Sequence, residues 1–265
     1  MIPLWARILL LLKKKPKRST GTERKIKNLK KDETDDRDYK VTSTLIGKAL
    51  VSLFPKNSLK EYCPPVKNQG SIGSCGSMAW TTAIEIRLKV KESDHYTELS
   101  ELFHYYHVRG IYGGYPEDSG QSLRDGAKVL QKIGTCPEKM WPYNESKWNS
   151  SPSSLANSMA RFWKIKEYAR CYTVEHIKES IAVGYPVVFG MKTFPDFDKG
   201  IKTHFEVPKT FDMGGHAVTI IGYDDDLQQF EIVNSWGTNW GNKGFATMSY
   251  ECVEKVMLDA WTLNV

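Results

Sequence analysis

A cysteine, a histidine and an asparagine in this chain carry the side chains that thiol-based acyl transfer needs. They are Cys75, His216 and Asn234. A thiol attacks a carbonyl carbon as the thiolate, a neighbouring imidazole accepts the thiol proton, and an amide oxygen can fix the orientation of that imidazole. The sequence therefore predicts a nucleophile, a base and an orienting residue, provided that the fold brings them together.

The residues after Cys75 predict a helix that begins at this thiol. In SMAWTTAIEIRLKVK, residues 77–91, apolar side chains recur among polar ones as in a largely buried helix. Unpaired N–H groups at a helix start favour negative charge, so we expect a lowered pKa for the Cys75 thiol. Gly73 and Ser74 are small enough for an incoming peptide backbone to approach, and we expect them to bind substrate.

His216 stands at the start of a strand-like run, directly after Gly215. Asn234 ends the next strand-like run, and the acidic stretch 224–226 between them is typical of a turn. On two neighbouring strands, the Asn234 oxygen can accept one imidazole N–H of His216, so that the other ring nitrogen faces a cleft. Gly215 then lies beside that cleft, and we expect it to contact substrate.

The spacing of apolar residues predicts helices in the first part of the chain and strands in the second. Predicted helices cover 77–91, 100–108, 121–132 and 173–183, with Gly134 ending the third. Predicted strands cover 185–191, 216–223, 229–236, 244–250 and 260–265. Helices followed by antiparallel strands indicate an α+β fold with a helical lobe, a β-sheet or barrel lobe, and a cleft between them.

Positive charge is concentrated near the amino terminus. Residues 13–31 hold ten Lys or Arg against one Glu, whereas the formal net charge of the whole chain is +6, so the rest of the chain is not basic. This distribution argues against a nucleic-acid-binding domain. We divide the chain into a tail of residues 1–31, an arm or linker of residues 32–55 and a domain of residues 56–265.

The tail has two interpretations. Its apolar run, residues 2–12, is shorter than the ~20 residues of a membrane-spanning helix, and basic residues follow it rather than precede it as in a secretory signal. The tail is either disordered or in contact with an anionic membrane surface, to which apolar and basic residues together would bind.

The five cysteines are not spaced for a metal site or a redox pair. No C-x-x-C spacing occurs, and an odd number of cysteines suits free thiols in a reducing compartment. His104 and His107 lie one helical turn apart but lack a third ligand, and the acidic stretch 224–226 is explained by a solvated turn. We therefore predict no metal and no cofactor.

Three ordered sequence blocks resemble the signature blocks of papain-like cysteine peptidases. They are QGSIGSC at 69–75, GGHA at 214–217 and NSWGTNWG at 234–241. Cys75 and His216 are 141 residues apart, within the range of about 130–150 of the papain and cathepsin group. The resemblance covers residues 64–265, and motifs such as EDSGQSLRDGAKVLQKIGTCPE are most similar to the bacterial, archaeal and giant-virus branch.

The resemblance implies a papain-like two-lobed fold and a catalytic role for each matching residue. Cys75 would be the nucleophile, His216 the general acid and base, and Asn234 the orienting amide. Gln69 would be the side-chain donor of the oxyanion hole, beside the backbone N–H of Cys75. In the resting enzyme the thiolate and the imidazolium would form an ion pair.

The resemblance also assigns the walls of the cleft. Trp236 would shield the contact between the asparagine and the histidine from water. Gly120 would line the cleft, with 113–115 as a rival alignment. Two positions depart from the family: Ile72 stands where a disulfide-forming cysteine is common, and Gly76 replaces the usual aromatic residue. These departures predict a disulfide-free variant with one less covered edge of the cleft.

We therefore expect a cysteine peptidase that cleaves peptide bonds through a thioester on Cys75. The alternatives are transfer of the acyl group to an amine, as in a transpeptidase or ligase, and a non-catalytic scaffold of the same fold. The residues before the domain are too few for the long helical propeptide of secreted relatives. We expect a monomer that acts on peptides or proteins inside the cell, in the cytoplasm or associated with virions, with the tail as a peripheral membrane contact.

Overall fold

The computed structural model describes residues 27–41, 54–91, 97–111, 117–212 and 214–265. Its helices are α1 (Cys75–Lys91), α2 (Glu101–Ile111), α3 (Leu123–Lys132), α4 (Ser154–Ala160), α5 (Val174–Ala182), α6 (Pro195–Lys199) and α7 (Tyr250–Val256). Its strands are β1 (Leu29–Lys30), β2 (Lys56–Ser58), β3 (Gln121–Ser122), β4 (Glu167–Arg170), β5 (Val187–Lys192), β6 (His204–Phe205), β7 (Gly215–Asp224), β8 (Gln229–Val233), β9 (Phe245–Ser249) and β10 (Met257–Asn264). The apolar run 2–12, most of the basic stretch and the rival wall at 113–115 lie outside the described residues.

Helix α1 is the central element of the helical lobe. Every residue from Cys75 to Ile86 is buried, because the helix packs on α2 and α3 on one side and on the sheet on the other. The third predicted helix begins two residues later than expected. The Ser122 hydroxyl accepts the N–H of Asp125 at 3.2 Å and caps α3, so residues 121 and 122 remain extended as β3.

The second lobe is one large sheet with the strand order β4-β10-β5-β7-β8-β9-β6, and β2 pairs with β7. All pairs are antiparallel except β6 with β9. The five predicted strands are confirmed as β5, β7, β8, β9 and β10. The predicted turn at 224–226 joins β7 to β8, where the Asp224 carboxylate accepts the N–H of Asp226 at 3.0 Å. The α+β fold with two lobes is thus confirmed.

Contacts between α1 and β7 join the two lobes. The Thr219 hydroxyl of β7 donates to the carbonyl of Ala79 in α1 at 3.1 Å. Around this contact lies an apolar cluster with members from both lobes, which include Cys75, Ala79, Trp80, Ala83, Val188, Ala217, Trp261 and Leu263. The packing places the start of α1 beside the start of β7, which are the two positions where the sequence predicts nucleophile and base.

A buried ion cluster fixes the loop that leads to Cys75. The ammonium group of Lys67 donates to Glu85 of α1 at 2.8 Å, to Thr81 at 3.1 Å, and to Glu101 of α2. The side chains of Lys67, Glu85 and Glu101 are at most 3% exposed. Burial raises the pKa of Glu85 to about 7, against the opposing effect of Lys67. One cation therefore holds two helices and the loop together.

Residues 27–31 are part of the folded structure, and we call them the groove segment. Strand β1 pairs in parallel with β3, with Leu29 opposite Gln121 and Lys30 opposite Ser122. The prediction that residues 1–31 form a separate tail is therefore wrong for residues 27–31. Leu29 is 7% exposed because its side chain packs into an apolar pocket of the domain.

The first ten residues of the predicted arm are fastened to the domain. The carboxylate of Asp32 accepts the N–H of Arg124 at 3.1 Å and the indole N–H of Trp261 at 3.0 Å. Asp38 pairs with the guanidinium groups of Arg124 at 2.6 Å and Arg170 at 3.0 Å. These contacts anchor residues 32–41, which the sequence predicted only as a linker. Within the described ranges, no helix is long and apolar enough to span a membrane.

Candidate active site

The Cys75 thiol lies beside the strand that carries the predicted base. Cys75 is the first residue of α1, and its sulfur receives the backbone N–H of Ala217, the residue after His216. The backbone N–H groups of Gly76 and of Cys75 itself also point toward the sulfur. The helix start and β7 thus meet at the sulfur atom.

The imidazole of His216 is held by an asparagine and covered by an indole. His216 Nε2 lies 2.8 Å from Asn234 Oδ1, and the ring centroids of His216 and Trp236 are 4.4 Å apart. His216 is fully buried, and Trp236 is 8% exposed. Because the amide oxygen of Asn234 accepts the proton on Nε2, Nδ1 is the ring atom that can exchange a proton with Cys75.

The side chain of Gln69 is oriented by two donors from the sheet lobe. Its Oε1 accepts the Ser235 hydroxyl at 2.9 Å and the Trp236 indole N–H at 3.2 Å. With the oxygen bound on that side, the amino group points toward the loop before Cys75, where it donates to the carbonyl of Ile72 at 3.0 Å. Trp236 therefore positions both the base and the predicted oxyanion donor.

Three of the predicted substrate-binding glycines border one groove, which the groove segment fills. A Cβ atom added to Gly73 would lie 3.1 Å from the Cβ of Asn28, and one added to Gly120 would lie 1.7 Å from the Asn28 carbonyl oxygen. A Cβ atom on Gly215 would lie 2.5 Å from the carbonyl oxygen of Leu29. Because these three positions are glycines, the backbone of the groove segment has room to pass between them.

The prediction that Ser74 binds substrate is wrong for its side chain. Ser74 is fully buried, and its hydroxyl lies 2.7 Å from the Tyr143 hydroxyl. Tyr143 in turn donates to the backbone carbonyl of Gln69 at 2.7 Å. Ser74 and Tyr143 therefore stabilise the loop between Gln69 and Cys75 through buried hydrogen bonds. Tyr143 carries no local sequence signal for this contact.

Asp118 is a further residue that the sequence did not reveal. Its carboxylate accepts the backbone N–H of Gly73 at 2.9 Å and the hydroxyl proton of Tyr105, and its carbonyl accepts the Asn28 side chain at 2.8 Å. It therefore holds the loop before the thiol and contacts the groove segment. Its position just ahead of Ser119 and Gly120, in the glycine wall, is the one signal that could have indicated it.

We call the structure with the groove segment in place the closed form. In this form, the expectation of a lowered pKa for the Cys75 thiol is wrong. Burial raises the pKa of the Cys75 thiol to about 11, against the N–H groups of Ala217, Gly76 and Cys75, which act to lower it. Cys75 is fully buried in the structure. The local features that favour a thiolate are present, but the loss of solvent around the covered sulfur outweighs them. The thiol is therefore neutral at neutral pH.

The two weaker metal candidates are structural. His104 Nε2 lies 3.0 Å from the carbonyl of Gly126, and His107 Nε2 lies 3.0 Å from the amide oxygen of Asn157. Burial lowers the pKa of His104 to about 4. In the part of the chain that the structure describes, no group of three or more His, Cys, Asp or Glu side chains is placed to hold a metal ion.

Comparison with known proteins identifies the family. The family model described as papain family cysteine protease matches residues 55–260. The chain belongs to the papain family. A peptidase C1-like protein of Acanthamoeba polyphaga mimivirus is 30% identical over 252 residues, which cover 88% of this chain and 81% of that protein. Xylellain, a cysteine protease from Xylella fastidiosa, has a crystal structure that matches with a TM-score of 0.80 and 34% identity, over 93% of this chain and 99% of that one.

Papain-family relatives from animals match less of this chain. Pro-cathepsin H of Bos taurus is 28% identical over 198 residues, which cover 69% of this chain and 55% of that protein. The resemblance to the bacterial and giant-virus branch of the papain family is therefore confirmed. Membership supports cysteine peptidase activity, while the roles of the individual site residues stay predictions.

The two departures from the papain-family pattern have local explanations. A Cβ atom on Gly76 would lie 2.7 Å from Nε2 of Gln121, whose Oε1 accepts the Ser77 hydroxyl at 2.6 Å. The Gln121 amide thus takes the space of the usual aromatic residue, and the predicted gap in the cleft wall is filled. Ile72 packs in an apolar cluster that includes Met78. All five cysteines are free thiols in the structure.

Proposed function

We propose that this chain is an endopeptidase that cleaves peptide bonds through a thioester acyl-enzyme on Cys75. The observation that carries the proposal is the 2.8 Å contact between His216 Nε2 and Asn234 Oδ1 on a strand whose next residue, Ala217, directs its N–H at the Cys75 sulfur. A base with a fixed tautomer beside a thiol is the arrangement that nucleophilic catalysis by cysteine requires.

In the proposed reaction, His216 Nδ1 takes the thiol proton and the Cys75 sulfur attacks the substrate carbonyl carbon. The resulting oxyanion accepts hydrogen bonds from Gln69 Nε2 and from the backbone N–H of Cys75. The His216 imidazolium returns the proton to the leaving amine, the C–N bond breaks, and a thioester remains. Water, deprotonated by the same imidazole, then hydrolyses the thioester and restores the thiol.

The groove segment supports an internal rather than a terminal cleavage site. It passes between the glycine walls as continuous chain, so the groove accommodates the middle of a polypeptide. The pocket that holds Leu29 lies among small and apolar residues, since a Cβ atom on Gly190 would be 2.7 Å from Leu29 Cδ2 and 3.2 Å from Leu123 Cδ1. We propose that substrates place a large aliphatic side chain there.

Displacing the groove segment tests the proposed function, because the segment fills the groove between Gly73 and Gly215, next to Cys75 and His216. In the Leu29→Asp variant, here called the opened variant, a carboxylate would have to enter the apolar pocket, so we expect the segment to leave the groove. Labelling by an epoxide warhead at pH 7 is expected to be about tenfold faster or more than in the parent chain. Mass mapping should locate the label on Cys75, and the opened variant should cleave casein internally.

Leu155→Asp is the matched control, because Leu155 is 57% exposed on α4, a helix that supplies none of the groove-lining residues named above. Its labelling rate should equal that of the parent chain. In the parent, alkylation should rise toward alkaline pH, since the thiolate that reacts forms only as pH approaches the raised pKa of about 11. Equal labelling of all five cysteines, or no cleavage by the opened variant, would reject the proposed function.

Replacing Gln69 with alanine in the opened variant tests the proposed oxyanion hole. We expect kcat to fall about 100- to 1000-fold with little change in KM, because the amide donates to a charge that develops only in the transition state. Steady-state kinetics on a fluorogenic peptide measure both constants. Gln131→Ala is the control, since Gln131 is exposed and donates only to the carbonyl of Lys166. A change in KM alone would exclude this role for Gln69.

A further inference from the structure

One side chain of the groove segment is bound by two carboxylates at the edge of the groove. The ammonium group of Lys27 pairs with Asp198 and lies 3.1 Å from Oδ2 of Asp212. A Cβ atom on Gly214, two residues before His216, would lie 2.8 Å from the Lys27 Cβ. The lysine therefore occupies the groove with its backbone and an acidic site with its side chain.

The acidic site differs from a surface ion pair. The side chains of Lys27, Asp198 and Asp212 are only 18%, 26% and 32% exposed. Asp212 is held by a backbone hydrogen bond of 2.8 Å to the carbonyl of Thr193. Partial burial, and after it the adjacent Asp212 carboxyl, raises the pKa of Asp198. The two carboxyl groups hydrogen-bond to each other as well as to Lys27, so the lysine ammonium is one of two contacts that hold them side by side.

The position of Asp198 assigns the site to the leaving-group side of the groove. Asp198 follows Phe197 on α6, and the Phe197 ring contacts both His216, at 5.9 Å between centroids, and Trp236, at 5.3 Å. His216 must reach the leaving amine to protonate it. The residues after the scissile bond therefore lie on the side of His216 and Trp236. With Lys27 on that side, Leu29 extends along the groove toward the acyl side, so the groove segment runs in the direction opposite to a substrate.

We propose that Asp198 and Asp212 form a subsite that selects a lysine or arginine side chain on the leaving-group side of the substrate. Lys27 occupies this subsite in the closed form and shows the chemistry that it accepts. The inference rests on the proposed function and adds to it a substrate class, namely polypeptides with a basic residue shortly after the scissile bond. Charge-assisted hydrogen bonds to partly buried carboxylates supply the selectivity.

Paired peptides test the inference in the opened variant of the full chain. Each pair carries a large aliphatic residue on the acyl side and differs only in having lysine or norleucine at one of three positions after the scissile bond. We expect kcat/KM to be about ten- to hundredfold higher for lysine at one of these positions. In the opened variant with Asp198→Asn and Asp212→Asn, the ratio should fall to about one, because the amides keep the shape but lose the charge.

Asp196→Asn is the matched control, since Asp196 is on the same helix but pairs with Lys202 at 2.5 Å, with both side chains about half exposed. It should keep the lysine preference. Circular dichroism checks that the doubly substituted chain is folded. Cleavage without a lysine preference in the opened variant, or an unchanged preference in the Asn variants, overturns the inference and leaves the proposed function intact. No cleavage of any peptide overturns both.

Discussion

Replacing Cys75 with alanine in the opened variant is expected to reduce kcat for peptide hydrolysis by on the order of 10⁴- to 10⁶-fold. The thiol is the atom that forms the acyl-enzyme in the proposed reaction, so no other described group can take its place. His216→Ala should cause a loss of similar size, and the double variant should lose almost nothing more. The reason is that nucleophile and base act as one unit, and removal of either one removes the covalent pathway.

Steady-state hydrolysis of a fluorogenic peptide and labelling by the epoxide warhead measure these losses. Cys63→Ala is the control, because Cys63 is the one partly exposed cysteine and lies outside the site. Burial raises its pKa to about 12, so it should contribute no reactive thiolate at neutral pH. Losses that multiply in the double variant would contradict a shared pathway, and an active Cys75→Ala variant would exclude thiol catalysis.

Replacing Lys67 with methionine is expected to lower the free energy of unfolding by about 3–5 kcal/mol. The change removes the ammonium group that pairs with two buried carboxylates, Glu85 and Glu101, so their negative charges lose the attraction of this cation. The loss should be greater at pH 8 than at pH 5. At pH 5, Glu85, whose pKa burial already raises to about 7, can become neutral by taking up a proton.

Urea unfolding followed by tryptophan fluorescence measures this loss. Lys60→Met is the matched control, since the Lys60 side chain is 47% exposed and its ion pair with Glu231 should be worth less than about 1 kcal/mol. Adding Glu85→Gln and Glu101→Gln to Lys67→Met should restore part of the stability by removing the two buried negative charges. Equal losses for the Lys67 and Lys60 variants would show that the buried ion cluster contributes no more to the free energy of unfolding than an exposed ion pair does.

The parts of the site that the sequence predicted are those with short-range signals. Cys75 lies at a helix start that the apolar spacing reveals, and His216 and Asn234 stand at the ends of strands that β-branched residues mark. The turn at 224–226 indicates that these strands are neighbours. Local chemistry and the family blocks are therefore sufficient to predict the two-lobed fold.

The parts that the sequence did not predict depend on contacts between distant residues. Ser74 looks like a substrate contact until Tyr143, far along the chain, is seen to bind its hydroxyl. The pairing of Lys67 with Glu101 likewise has no local signal. Lys27 and Leu29 lie in a basic stretch whose composition resembles that of a tail. Their positions are explained only by the folded domain, in which Leu29 packs in an apolar pocket and Lys27 pairs with Asp198.

The anchor at Asp32 determines how far the released segment can travel. With Asp32 bound to Arg124 and Trp261, the five residues before it form a tether of about 16 Å when fully extended. A segment on so short a tether has a local concentration at the groove in the millimolar range, and dilution of the protein does not lower this concentration. Occupation of the groove by the segment is therefore independent of protein concentration, and a chain cut between Leu29 and Asp32 would remove the tether and make it depend on concentration.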